Sequence, residues 1–263
     1  MKTLTVDGWP IEYTDSGTEH ERTLILLTGW AQDHRLFKNL EPILAQEFRV
    51  LRVNFRGHDG LLTDNGDFTA SDMASDVLAI IEHLSLTDVR LVSTSHGCWV
   101  NVDVHDRLGD ASLGKTVVID WLMAPFDEFH RQIREGHQEA TYYAARRSMF
   151  DEWTASTDNL DVVDHVNREM TWFGGEMWRR ACREIEKAYA TWGDPLKRMT
   201  PLSERLDVRH IYSQPLSSEY RDYQEEFASQ NPWFDPHHIP GRTHFPTLEN
   251  PEAVAAAITE FYR

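Results

Sequence analysis

Polar and apolar residues alternate from Thr3 to Val6 and again from Pro10 to Thr14, with Asp7-Gly8 between them. This pattern predicts two short strands joined by a tight turn. Thr23 to Thr28 is a nearly pure apolar run, and Phe48 to Asn54, Val89 to Val92, Lys115 to Ile119 and Val208 to Tyr212 are similarly rich in branched residues. Runs of this kind predict strands covered on both faces. Between them lie helical spacings: Phe37 to Phe48, a segment from Trp99 onward, and Glu252 to Tyr262. Ala70 to Ser85 is the clearest, with Met73, Val77, Ile80, Ile81 and Leu84 on one face. Strands alternating with helices predict an α/β fold whose mostly parallel sheet is flanked by helices.

The texture changes at Pro125. Up to about Leu196 no strand pattern appears, and the segment is charged, helical in spacing and rich in Trp, Tyr and Met. The expected organisation is a core domain of residues 1–124 and 197–263 with a helical cap, 125–196, inserted into it. Caps of this kind cover the C-terminal edge of an open α/β sheet, where ligands bind.

Candidate chemistry centres on Ser93-Thr94-Ser95-His96-Gly97, placed between a strand and a helix. Strand, Ser-x-Ser-x-Gly, helix is the nucleophile elbow of an α/β-hydrolase fold, with Ser in place of the usual first Gly. In that fold the order is nucleophile, acid, histidine. His244 sits in a loop just before the last helix and is the expected base, ahead of His237 and His238. The acid normally follows the strand after the cap, but His210 to Pro215 offers no carboxylate before Glu219. Asp120, directly after Val117-Val118-Ile119, reaches the same imidazole from the neighbouring strand and is the expected acid; its structural alternative is a cap for the next segment. The oxyanion donors expected are the backbone N–H groups of His96 and Trp30. Arg56, in the turn after the Phe48–Asn54 strand, reads as a structural brace, and Cys98 as a small buried hydrophobe.

Composition narrows the field. With 26 basic and 43 acidic side chains the net charge is −17. That argues against nucleic acid or an anionic membrane as partner. The first residues lack the apolar core of a signal peptide, no run is long enough to span a bilayer, and two cysteines make no disulfide framework. A cytoplasmic protein is expected, a monomer by default. No metal-ligand spacing, dinucleotide fingerprint or phosphate loop appears among the 13 histidines and 14 glycines, so no cofactor or metal is expected.

Several segments together resemble the cofactor-free 2,4-dioxygenases of 3-hydroxy-4(1H)-quinolones. They are Gly29 to Arg35, Ser93 to Val100, Val118 to Met123, Phe150 to Trp153, Arg209 to Pro215, Asn231 to Phe234 and Thr243 to Pro246. The resemblance implies that His244 removes the proton of the substrate's 3-hydroxyl, supported by Asp120, and that the resulting enolate reacts with O2 directly. It implies loss of carbon monoxide and formation of an N-acylanthranilate. Ser95 then orients substrate by hydrogen bonding, and the Trp30 and His96 amides hold the C4 carbonyl oxygen. Gln32 and Thr94 stand where some relatives carry His, and with Trp153 they are expected to line the substrate pocket. The apolar cap favours 2-alkyl substrates with a long tail over the 2-methyl compound. Two other readings use the same residues: a serine hydrolase acting through a Ser95-His244-Asp120 triad, and a non-catalytic binding protein on a hydrolase scaffold.

Overall fold

A computed structural model describes residues 1–109, 114–124 and 126–263. The apolar runs form the strands they predict. β1 (Lys2–Val6) and β2 (Trp9–Tyr13) pair antiparallel through the Asp7-Gly8 turn. With β3 (Thr23–Leu27), β4 (Arg49–Val53), β5 (Val89–Thr94), β6 (Gly114–Ile119), β7 (Leu206–Tyr212) and β8 (Phe234–His238) they form one sheet ordered β1-β2-β4-β3-β5-β6-β7-β8. All pairs from β4 to β8 are parallel. The register pairs Leu27 with Ser93, Thr94 with Ile119 and Ile119 with Ile211, so four strands end along one edge. β3 is buried at every position, as a strand covered on both faces must be.

The helices follow local signals. α2 (Ala70–His83) starts in a reciprocal cap: the Asp72 carboxylate accepts from the Thr69 N–H, and the Thr69 hydroxyl accepts from the Asp72 N–H. α3 (Gly97–Leu108) springs directly from the elbow, and the short α10 (Pro246–Glu249) and α11 (Pro251–Tyr262) close the chain. Arg56 braces the fold as expected, its guanidinium gripping the buried Asp76 carboxylate at 2.6 and 2.8 Å. Cys98 is buried.

One expectation needs correction, and one helix has no counterpart in the sequence reading. The helix expected over Phe37–Phe48 is a 3-10 turn, His34–Phe37, followed by a single α turn, α1 (Glu41–Leu44). Pro42 lacks an N–H and is tolerated only at a helix start, so no helix runs through it. A helix the periodicity does not announce, α9 (Ser218–Gln230), lies between β7 and β8.

Residues 127–199 contain α4 (Asp127–His137), α5 (Tyr142–Ala155), α6 (Leu160–Asp164), a π-helical turn His165–Met170, α7 (Gly174–Trp192) and α8 (Pro195–Met199). α8 straddles the expected boundary at 196, and Pro125, where the cap is expected to begin, lies outside the described residues. Tyr143, Trp172 and Trp192 of this segment face solvent, so its aromatic richness is not all cavity lining.

Candidate active site

Three residues, one in the loop after β3 and one directly after each of β5 and β6, are held in the left-handed region although none is glycine: Ala31 (φ 55), Ser95 (φ 50) and Asp120 (φ 45). Such backbone costs about 1–3 kcal/mol at each position and collects where side chains must be aimed. The elbow is made possible by Gly97. A Cβ there would overlap the Thr28 carbonyl oxygen and lie 2.8 Å from its carbon, so only glycine lets α3 approach β3 this closely. Behind the elbow, Ser93 Oγ accepts from Asn101 Nδ2 at 2.8 Å, which pins the strand end to α3.

This turn presents Ser95 Oγ 2.8 Å from His244 Nε2. His244 Nδ1 lies 3.7 Å from Asp120 Oδ2, in ion-pair range but beyond a hydrogen bond. Asp120 is held from the other side. The loop after β7, where the fold usually puts its acid, supplies donors instead: Ser213 N–H at 2.7 Å, Gln214 N–H at 3.3 Å and Ser213 Oγ at 3.2 Å. The Ser213 hydroxyl also lies 2.8 Å from the Thr243 carbonyl, next to His244. Burial pushes the Asp120 carboxyl up to about 7 against these donors, and enclosure pushes His244 down to about 4. His244 is therefore a neutral imidazole at pH 7. With its proton on Nδ1 toward Asp120, Nε2 is a free base facing Ser95.

A cavity of about 700 Å³ opens above these atoms, lined by Ser95, Asp120 and His244 together with Trp30, Gln32, His96 and Trp153. The indole of Trp153 stacks on the His244 ring at 5.6 Å and 20°. The His96 ring stacks on Phe129 (5.3 Å, 11°), and burial holds it neutral, down to about 3. Gln32 Oε1 accepts from the Gly29 N–H at 3.3 Å. Thr94 is buried but does not line the cavity, contrary to expectation. It is the last residue of β5, one step before the elbow turns Ser95 outward, and its hydroxyl has no hydrogen-bond partner among the described residues. His34 and His58 are structurally occupied: His34 Nδ1 lies 3.2 Å from Asn54 Oδ1, and His58 Nε2 accepts from the Ala31 N–H at 3.0 Å. Sequence reasoning expects an apolar cap over the site but does not single out which of its residues form the walls, notably Phe129, Ile133, Met149, Met170 and Ile185, because helical spacing does not separate cavity-facing from core-facing residues.

The chain matches the alpha/beta hydrolase family model over residues 24–257. It is 56% identical to the 1H-3-hydroxy-4-oxoquinoline 2,4-dioxygenase of Pseudomonas putida, with 99% of each chain covered. The chain belongs to the quinolone 2,4-dioxygenase family of the alpha/beta hydrolase fold. The 2-heptyl-3-hydroxy-4(1H)-quinolone dioxygenase of Mycobacteroides abscessus is 34% identical, over 97% of this chain and 96% of that one. A solved structure of a 1H-3-hydroxy-4-oxoquinoline 2,4-dioxygenase superposes with a TM-score of 0.97 at 55% identity, covering both chains fully. Family members of this kind thus share the whole chain with it, including the helices between β6 and β7. Among the described residues no helix is long and apolar enough to cross a membrane.

Proposed function

We propose that this protein cleaves the heterocyclic ring of 2-alkyl-3-hydroxy-4(1H)-quinolones with O2, giving an N-acylanthranilate and carbon monoxide. The observation that carries the reading is a cavity-facing His244, 2.8 Å from Ser95 and backed by Asp120 just after β6, in a chain 56% identical to a quinoline 2,4-dioxygenase along its length.

Nε2 of His244 takes the proton of the 3-hydroxyl, and Asp120 stabilises the imidazolium so formed. Ser95 hydrogen-bonds the substrate and forms no covalent bond to it. The Trp30 and His96 backbone N–H groups hold the C4 oxygen as charge builds there. The electron-rich ring delivers electrons to O2, and a C2 peroxide attacks C4. The endoperoxide breaks its O–O bond and two ring C–C bonds, and C3 leaves with its oxygen as carbon monoxide. O2 is thereby the only oxidant required. Trp153 covers the base, and with Gln32 it fixes the plane of the bicycle. Residues 125–196 act as the cap that keeps water from the enolate, with 1–124 and 197–263 as the core domain. Every residue named lies in one chain, which supports action as a monomer. The two free, buried thiols support a reducing, cytoplasmic setting.

The cavity walls of Ile133, Met149, Met170 and Ile185 suit an alkyl tail at C2. The name of the 56% identical relative favours a second reading, an unsubstituted C2. Competition between the 2-heptyl and unsubstituted compounds decides between them: the tail reading expects the heptyl compound to have the higher kcat/KM. The chemistry is tested by two variants. His244→Ala loses turnover by about 10²–10⁴-fold, whereas Ser95→Ala keeps measurable ring cleavage. Equal collapse of both, with rapid labelling of Ser95 by a fluorophosphonate, would return the chain to acyl-serine chemistry.

A further inference from the structure

One buried histidine takes no part in the chemistry above. His165 opens the six-residue π-helical turn His165–Met170 between α6 and α7, and turns of this width gather at functional sites. Its side chain is fully buried. Nδ1 lies 2.6 Å from Glu169 Oε2, and Nε2 has no hydrogen-bond partner among the described residues. A buried ring nitrogen without a partner is a cost that an apolar residue at this position would avoid. At the end of the same turn, Met170 lines the cavity.

The pair reaches the site from two sides. The His165 ring meets Phe245 at 68°, with centroids 5.2 Å apart. Phe245 in turn makes T-shaped contacts with Trp153 and with His244, each at 5.5 Å between centroids, and these two rings are stacked on each other. On the other side Glu169 Oε1 lies 3.9 Å from Arg35 Nε, and Arg35 grips Asp33 at 2.6–3.0 Å. The Asp33 side chain caps the 3-10 turn that follows Gln32.

We propose that His165 and Glu169 form a positioning pair for His244. The inference rests on the reading of His244 as the base. The carboxylate fixes the His165 ring, that ring backs Phe245, and Phe245 keeps the Trp153–His244 stack in the orientation that leaves Nε2 2.8 Å from Ser95. Glu169 ties the same turn, through Arg35 and Asp33, to the loop that carries Trp30 and Gln32. His165 touches none of the reacting atoms.

Three variants test this: His165→Phe, which keeps a ring but deletes the Nδ1 donor; Glu169→Leu, which deletes the acceptor; and Glu169→Gln, which keeps an acceptor of the same reach. Nitrogen-15 NMR of the histidine rings reads His244 directly and needs no quinolone. Expected are separate, sharp Nδ1 and Nε2 signals for His244 in the parent and in Glu169→Gln, and exchange-broadened signals in the other two. Ångström-scale misplacement of a catalytic group is costly, so kcat falls about 10-fold in those two with KM within about 2-fold. If His165→Phe does not fold, Glu169→Leu carries the test alone. Unchanged His244 signals in a folded Glu169→Leu variant overturn the proposal whatever the turnover does, and this outcome is distinct from a parent protein that fails to cleave quinolones.

Discussion

Asp120→Asn should make the protein more stable and less active, and the two effects should separate with pH. Asp120 is 4% exposed, and its carboxyl is raised from 3.8 to about 7 by burial. A folded value above the unfolded one means the native state binds a proton that the unfolded chain has released. Stability therefore falls as pH rises from about 3.8 to about 7. Three pH units at about 1.4 kcal/mol each give a cost of about 4 kcal/mol at pH 8 as an upper bound. Asn removes that cost without breaking the local bonds. Its Oδ1 can accept from the Ser213 and Gln214 N–H groups, and its Nδ2 can donate to Ser213 Oγ, whose own hydrogen goes to the Thr243 carbonyl. Histidines buried as neutral rings, among them His58, His96, His210 and His244, have values lowered to about 3–4 and oppose this slope by gaining stability from about pH 4 to 6.5. The difference between variant and parent cancels them. Urea unfolding at half-unit steps from pH 4 to 8 should show the Asn variant gaining on the parent up to about pH 7 and level beyond. Turnover should meanwhile fall, because the neutral amide cannot stabilise the imidazolium. The acid limb of kcat/KM near pH 7 should vanish from the variant's profile. An Asn variant that is less stable at pH 8, or whose advantage does not grow with pH, refutes the reasoning.

Other substitutions have equally definite signs. Gly97→Ala should destabilise the fold by about 1–3 kcal/mol in thermal unfolding, although Ala is the better helix former, because its Cβ meets the Thr28 carbonyl and must push α3 off β3. Asp76→Ala leaves the Arg56 guanidinium buried without its partner and should cost about 3–5 kcal/mol in urea unfolding, with kcat of the surviving folded protein little changed. Trp153→Ala removes the indole stacked on His244 and should lower kcat/KM about 2- to 10-fold, corresponding to about 0.5–1.5 kcal/mol for an aromatic pair; an unchanged steady-state value would refute a role for this stack in turnover.

The parts of the fold that were legible are those where one physical demand dominates. Strands β3 to β7 announce themselves because burial on both faces leaves few polar positions, whereas β8, Phe-Asp-Pro-His-His, carries no apolar run; Ser95 announces itself because a strained turn tolerates few neighbours. Asp120 was readable as the carboxylate that ends an apolar run. Its three donors were not, since two are backbone N–H groups that any residue at 213 and 214 would supply. α9 escaped notice because only Tyr220 and Gln224 are buried in it, too few for a periodic stripe. The helix expected over Phe37–Phe48 failed at Pro42, a local veto stronger than the apolar spacing around it. Thr94 is expected in the pocket because some relatives carry His at that position, but as the last residue of β5 it is buried away from the cavity, and strand alternation turns neighbouring side chains to opposite sides. The π-helical turn at His165 leaves no pattern that spacing rules detect.

Ring cleavage by O2 itself is tested most directly by mixing EDTA-treated protein with 2-heptyl-3-hydroxy-4(1H)-quinolone, without added cofactor, in air-saturated buffer and again under nitrogen, while assaying substrate absorbance, carbon monoxide and N-octanoylanthranilate. Equimolar carbon monoxide and acylanthranilate in air, with turnover halted under nitrogen, is the expected result. No turnover of this compound or its unsubstituted analogue, together with steady hydrolysis of a nitrophenyl ester, would contradict it.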